Sequence, residues 1–178
     1  TSATRSRHLR APDGDTAVDV DSYAITFRYV HAFALGQHVA NVNVLLPLVH
    51  VPDGRIASQR AAGASGFGDP QLVSTLWLVN APQRRQHVAV AAYLTLPLGR
   101  YDRMRATNPG GNRWSGMLQA AYRKEIHDAL AVELVADATW HADNDEAHGG
   151  TTLAQDATFS AQVWLQRNLD DRTYVAVG

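Results

Sequence analysis

The sequence predicts an all-β chain, an antiparallel up-and-down transmembrane β-barrel, and three observations carry that reading. Long stretches alternate apolar and polar residues with a period of two, the signature of a strand with two unlike faces. The polar face includes charged residues in mid-strand, among them Arg28, Arg123, Glu133 and Asp137. The connections are short and long by turns, as in barrels with tight periplasmic turns and long external loops.

The clearest stretch is 86–98. Val88, Val90, Ala92, Leu94, Leu96 and Leu98 point one way; His87, Ala89, Ala91, Tyr93, Thr95 and Pro97 point the other. It exceeds the usual five or six residues of a globular strand and breaks at Gly99 into a polar connection reaching Arg113.

In chain order, residues 1–22 are polar, carry the turn signal Pro12-Asp13-Gly14 and read as an N-terminal loop. The strand 23–35 has Tyr23, Ile25, Phe27, Tyr29, Phe33 and Leu35 on one face and Arg28 on the other. An arginine facing lipid at the midplane costs about 2–4 kcal/mol, so the aromatic face is outward. His31 is the polar exception on that face, tolerable when neutral and near the interface. Gly36-Gln37 turns the chain into 39–49, where Ala40, Val42, Val44, Leu46 and Leu48 oppose Asn41 and Asn43. A long connection, 50–70, holds a run of small residues. The strand 71–79 is apolar on both sides and has no legible orientation.

After the short turn 80–85 and the strand already described, 114–125 sets Leu118, Ala120 and Tyr122 against Gln119, Arg123 and Glu125. The turn 126–128 leads to 129–141, with Leu130, Val132, Leu134, Ala136, Ala138 and Trp140 opposite Glu133, Asp137 and Thr139. The third long connection, 142–156, is acidic and glycine-rich. Strand 157–167 sets Phe159, Ala161, Val163 and Leu165 against Thr158, Ser160, Gln162 and Gln166; a turn over 168–171 opens an eighth strand.

Periodicity does not separate a membrane barrel, apolar side outward, from a soluble ligand-binding barrel, apolar side inward. Strand length and the alternating connections select the membrane. The charge-free stretch 29–52 is long enough for a membrane helix, but Gly36, Gln37, Asn41, Asn43 and Pro47 interrupt it and its period is two. The 178 residues suffice for one domain, 1–178, and a net charge of −1 gives no overall pull toward nucleic acid. The absence of cysteine excludes a disulfide framework and thiol chemistry. No leader is visible before Thr1, so the chain reads as a mature protein or an excised fragment. A strand descending from Tyr23 requires an ascending one before it, which 1–22 does not offer, and the chain ends without an aromatic closing strand. The barrel is therefore expected to lack strands at both ends, with eight present.

Leu96-Pro97-Leu98-Gly99-Arg100-Tyr101-Asp102, followed by Asn108-Pro109-Gly110-Gly111-Asn112-Arg113-Trp114, resembles the signature of the MetA-pathway of phenol degradation family. Gly66-Phe67-Gly68-Asp69-Pro70 and Leu45-Leu46-Pro47-Leu48 match two further segments in the same order, and the similarity covers about 20–178. The resemblance implies a monomeric twelve-stranded channel of the bacterial outer membrane, in bacteria that degrade aromatic compounds. It implies that the first strand and about three last ones are absent here. The expected function is passive uptake of small hydrophobic or aromatic solutes, with outer-membrane lipid and lipopolysaccharide as surroundings. The rival readings are the soluble ligand-binding barrel and an outer-membrane barrel whose lumen is plugged.

The candidate pore lining is Arg28, Asn41, Asn43, Tyr93, Gln119, Arg123, Glu133, Asp137 and Gln162, which would set the local field or brace the interior as ion-paired plugs. The loop motif Gly99, Tyr101, Asp102, Asn108, Gly111, Asn112 and Trp114 reads either as a solute contact at the mouth or as a packed loop with Trp114 in an aromatic girdle. Gly66–Pro70 lacks the Lys-Ser/Thr and helix of a phosphate loop and reads as a strand-entry turn with glycine at positive φ. His141, Asp143, Asp145, Glu146 and His148 lack metal-site spacing and read as a solvated loop. No nucleophile or carboxylate pair has supporting context, so neither catalysis nor a cofactor is expected.

Overall fold

The computed structural model describes residues 2–6, 18–19, 21–56, 59–127, 129–170 and 173–178. The strands are β1 (Ser2–Ser6), β2 (Val18–Asp19), β3 (Ser22–Leu35), β4 (His38–Val51), β5 (Gly54–Ile56), β6 (Gln59–Ala61), β7 (Ala64–Phe67), β8 (Gln71–Ala81), β9 (Gln86–Thr95), β10 (Ser115–His127), β11 (Leu130–His141), β12 (Asn144–Ala147), β13 (Thr151–Leu153), β14 (Thr158–Asn168) and β15 (Tyr174–Val177). One antiparallel sheet runs β1-β3-β4-β8-β9-β10-β11-β14-β15, with β7 pairing the upper part of β4. No helix is long and apolar enough to cross a membrane, which says nothing of crossing by strands.

Each long strand pairs with its neighbour in the chain, and the register keeps the two faces apart across the sheet. Tyr29 lies opposite Val44, Val44 opposite Leu72, Leu72 opposite Leu94, and Leu94 opposite Gly116. Farther along, Val90 meets Ala120, Ala120 meets Ala136, and Ala136 meets Ala161. The curvature follows from crowding, because side chains inside a bend press together while those outside fan apart. Val90, Leu94 and Leu134 are 38%, 41% and 43% exposed, whereas Asn43 and Val73 on the opposite face are 2% and 7% exposed. The apolar face is therefore convex and the polar face concave. A soluble barrel has the reverse order, and water does not tolerate a continuous apolar patch of this extent.

The turns gather at the two ends as their lengths predict. Gly36, at φ +60, supplies the positive φ that the two-residue hairpin loop between β3 and β4 needs. A 3-10 turn (Pro82–Arg84) closed by Arg85 in the left-handed region joins β8 to β9 at the same end. The opposite end carries the connections 52–70, 96–114 and 142–157, of which the first holds β5, β6 and β7 and the last β12 and β13. β2, β5 and β6 form a small three-stranded sheet, and β12 and β13 form a hairpin turned by Gly149 and Gly150 at positive φ.

Several sequence expectations need correction. The N-terminal loop 1–22 contains β1, which pairs antiparallel with Ser22–Thr26 of β3, and β2, which pairs with β5. A strand thus precedes β3 where none was expected. The connection 50–70 contains β5, β6 and β7. The strand 86–98 stops at Thr95, because Pro97 has no N–H for the ladder; Leu96 N–H instead bonds Pro70 O at 2.9 Å and Leu98 N–H bonds Leu96 O at 2.8 Å. Leu98 is consequently exposed and outside the apolar face of the sheet. The turn expected over 126–128 begins later, since β10 continues to His127; Asp128 lies outside the described residues, as do 171 and 172 of the turn before β15.

The strand without a legible orientation, β8, has a physical explanation. Trp77 pairs with Ala89 but Val79 pairs with Val88, so Leu78 is an extra residue in a β-bulge. Leu72, Ser74 and Leu76 precede it on the convex face; Val79 follows on that same face. The bulge shifts the parity, and the alternation disappears from the sequence.

Candidate functional site

All nine candidate lining residues come to the concave face. Arg28 Nε and Nη2 donate to Asn43 Oδ1 at 2.8 and 2.5 Å, and Asn43 Nδ2 donates to Asn41 Oδ1 at 2.7 Å. This chain accounts for the deep burial of Asn43, since a buried amide is stable only with its hydrogen bonds made. Farther around the sheet, Tyr93 OH donates to Gln119 Oε1 at 3.1 Å. Gln119 lies opposite Asp137, whose Oδ2 accepts from Ser160 Oγ at 2.5 Å. A polar row thus crosses β10, β11 and β14 at one level, and Tyr93 of β9 joins it from one pair farther along.

Nearer the tight turns, Arg123 Nη1 lies 3.4 Å from Glu133 Oε2 and donates to Gln166 Oε1 at 3.0 Å. Gln162 accepts from Trp164 Nε1 at 3.2 Å. Apolar side chains interleave with these groups on the same face: Val73, Trp77, Met117, Val135 and Trp164 pair with lining or neighbouring inward positions. Sequence reading passed over them, because Trp77 lies beside the bulge and Trp164 sits among glutamines. Their odd or even parity with Thr75 and Gln162 is the signal that finds them.

Gly99 and Gly111 of the loop motif are clasped by Asp69. Asp69 Oδ1 accepts the Gly99 N–H at 2.8 Å and Oδ2 accepts the Gly111 N–H at 2.7 Å. Arg100 N–H bonds Phe67 O at 2.7 Å and Gly110 N–H bonds Arg100 O at 3.1 Å. The glycines are required by close approach: a Cβ on Gly99 would lie 2.6 Å from Gly68 C, and one on Gly110 would lie 2.8 Å from Asp69 Oδ1. Asn108 Oδ1 accepts the Asp102 N–H at 2.9 Å, while its Nδ2 bonds Asp102 O and Arg105 O.

A second cluster joins this loop to the acidic one. Asn144, 3% exposed, donates to Tyr101 OH and Gly111 O, each at 3.1 Å, and accepts from Asn112 Nδ2 at 3.1 Å. Tyr101 OH donates to Glu146 O at 2.8 Å. Asn112 sits at φ +52, a region asparagine tolerates better than most residues. The motif is thus a packed loop in its Asn and Gly positions, while Trp114 is half exposed at the foot of β10.

The loop also has a side. Gly66 pairs with Val49, on the concave face, and a Cβ there would strike the Arg100 side chain at 2.9 Å. Around Gly68, the nearest atoms belong to Pro47, Val49 and Pro109. Pro47 and Val49 share the face of Asn43 along β4. The connection 96–114 therefore folds inward over the concave face at its outer end.

Tall antiparallel strands in chain order, apolar on the convex side and polar on the concave side, define the wall of a transmembrane β-barrel. The family described as "Putative MetA-pathway of phenol degradation" matches residues 6–178, and the chain belongs to it. Among solved structures, the chain is similar to the crystal structure of an outer membrane channel from Pseudomonas putida F1, with 30% identity and a TM-score of 0.83. That match covers 98% of this chain and 66% of the other, so the chain spans just under two thirds of its solved relative. No curated protein matches the chain.

Proposed function

We propose that the chain builds part of the wall of a bacterial outer-membrane channel that admits small hydrophobic or aromatic solutes by diffusion. The observation that carries this is the division of the sheet: exposed Val90, Leu94 and Leu134 suit acyl chains, while Arg28, Gln119, Arg123 and Asp137 share the concave face, which suits a wet lumen. The interleaved Trp77, Met117, Val135 and Trp164 offer an aromatic solute apolar contact between the polar groups. The family and the P. putida channel support the outer membrane and the aromatic-degradation setting. In this reading the barrel works as a monomer among lipid and lipopolysaccharide, without covalent chemistry and without nucleic acid.

The test is liposome swelling and planar-bilayer recording on the full-length gene product with phenolic solutes. Solute-dependent swelling and discrete current steps are expected. The plugged-barrel reading has its own support in the Arg28–Asn43–Asn41 and Arg123–Glu133–Gln166 networks, which tie lining residues to one another; folded protein without swelling or current would favour it.

A further inference from the structure

Arg28 and Asp137 are the two lining charges that no opposite charge meets. Arg28 gives its hydrogen bonds to the Asn43 amide oxygen, a neutral acceptor, and Asp137 takes one from the Ser160 hydroxyl. Neither forms an ion pair among the described residues. Arg123 and Glu133, the other charges of the lining, lie 3.4 Å apart and largely cancel at a distance. Both unmatched groups are open to a solute, since Arg28 is exposed and Asp137 half-buried.

The two stand level on separate parts of the wall. Leu35 closes β3 and Leu130 opens β11 at the end of the tight turns; Arg28 is seven residues from the first and Asp137 seven from the second. The strands β4, β8, β9 and β10 separate them, and the inward row between is uncharged. Asn43 links Arg28 to Asn41, and Asn41, Thr75, Ala91, Gln119 and Asp137 then lie opposite one another in turn. At about 4.8 Å per strand, the separation is about 24 Å along a concave wall, too far for contact. The outer end repeats the polarity. Connection 142–156, which leaves β11, holds Asp143, Asp145, Glu146 and Asp156 and neither Lys nor Arg; Arg113, tied to Gln155, offsets one of the four. Over β4, the Arg100 side chain lies against Gly66 and donates to the Ser65 carbonyl.

We infer that Arg28 and Asp137 determine specificity together: they lay an electric field across the lumen, positive at β3 and β4 and negative at β10 to β14, which selects and orients small dipolar solutes. Unpaired charges on a low-dielectric wall focus the field into the space between them, and charged side chains around a pore set its selectivity. A solute with a donor at one end and an acceptor at the other is turned with its donor toward Asp137. The passage of solute rests on the channel reading above; the division of charge does not.

The experiment reads the local potential with thiol reagents of opposite charge. None of the 178 residues is cysteine. Val30→Cys, next to Arg28 on the same face, and Gln119→Cys, opposite Asp137, therefore each add one thiol to the full-length gene product, with the unsubstituted protein as blank. Rates with a sulfonate and with a trimethylammonium methanethiosulfonate are compared in detergent, folding being followed by heat-modifiable electrophoretic mobility. Val30→Cys is expected to favour the anion and Gln119→Cys the cation, each about three- to tenfold relative to a free thiol, the effect of a unit charge about 5–7 Å away in wet surroundings. Arg28→Gln removes the first preference and Asp137→Asn the second. The same preference at both positions overturns the inference, as does a preference that survives the neutral variants. Should a neutral variant not fold, the two thiols in the native background still decide. In liposome swelling, entry of glycine relative to its uncharged isomer glycolamide should fall at least twofold in Arg28→Gln; an unchanged ratio overturns the selection of dipoles. Bilayer recording separates the two readings: opposite thiol preferences without current leave the divided field and remove the channel, and current with a shared preference does the reverse.

Discussion

Arg123 reaches over an intervening strand to donate a 3.0 Å hydrogen bond to Gln166. The two residues belong to β10 and β14, with β11 between them. Ala131 lies opposite Gln166 on one side and Glu125 on the other, and it is 2% exposed. A side chain as small as alanine fits beneath a bridge of this span.

That bridge makes a double-mutant test possible. Arg123→Ala and Gln166→Ala are each expected to cost about 1.5–3 kcal/mol, the range of a hydrogen bond to a charged group. The double variant should cost less than their sum. Ala131→Leu should destabilise by about 1–3 kcal/mol through overpacking. Urea unfolding in lipid vesicles measures all four.

Adjacent residues on opposite faces report which side meets lipid. Leu134→Arg is expected to cost about 2–4 kcal/mol of stability in vesicles, and Val135→Arg much less, because only the first puts a charge in hydrocarbon. Equal penalties would contradict the assigned faces.

The Asp69 clasp predicts a local effect. Asp69→Ala leaves the Gly99 and Gly111 N–H groups without their acceptor, and the connection 96–114 should become open to trypsin at Arg100, Arg103 and Arg105 while the barrel stays folded. Asp69→Asn, which keeps one acceptor oxygen, should be intermediate.

Two glycines of the same loop should differ in tolerance. Gly99→Ala forces backbone against backbone, since its Cβ would lie 2.7 Å from Asp69 N. At Gly111 the nearest atom to a Cβ is Asp69 Oδ2 at 3.5 Å, an ordinary contact. Proteolysis of the 96–114 connection should therefore quicken in Gly99→Ala and stay unchanged in Gly111→Ala.

In the connection 52–70, the Arg60 guanidinium donates to Asp53 at 2.6 Å, and with the Gly63 N–H it holds the Asp53 carboxyl below its usual range. A carboxylate whose pKa is lower when folded stabilises the loop above its unfolded-state pKa, and that contribution is lost as pH falls through the folded value. Arg60→Gln should move the Asp53 titration upward by NMR. Both side chains are exposed, so global stability should scarcely change.

The faces of the long strands were legible because each strand keeps strict parity, and Arg28 alone suffices to orient β3. Legibility failed where parity shifts or where pairing is decided at a distance. The bulge at Leu78 hid the orientation of β8. β1 and β7 are polar or small in composition, and they are strands because the edge of β3 and the upper edge of β4 offer them partners. The loop motif was visible as a motif, yet its organiser, Asp69, lies thirty residues before Gly99 and is joined to it only in three dimensions.

The neighbour-to-neighbour pairing of β3, β4, β8, β9, β10, β11 and β14 bears on how the wall comes into being. Each hairpin can zip from its own tight bend, so the entropy of bringing remote segments together is deferred. Growth of such a wall is sequential, one staple at a time, and β4 is its slow seam: its upper third finds β7 only after the chain has looped out through β5 and β6 and come back.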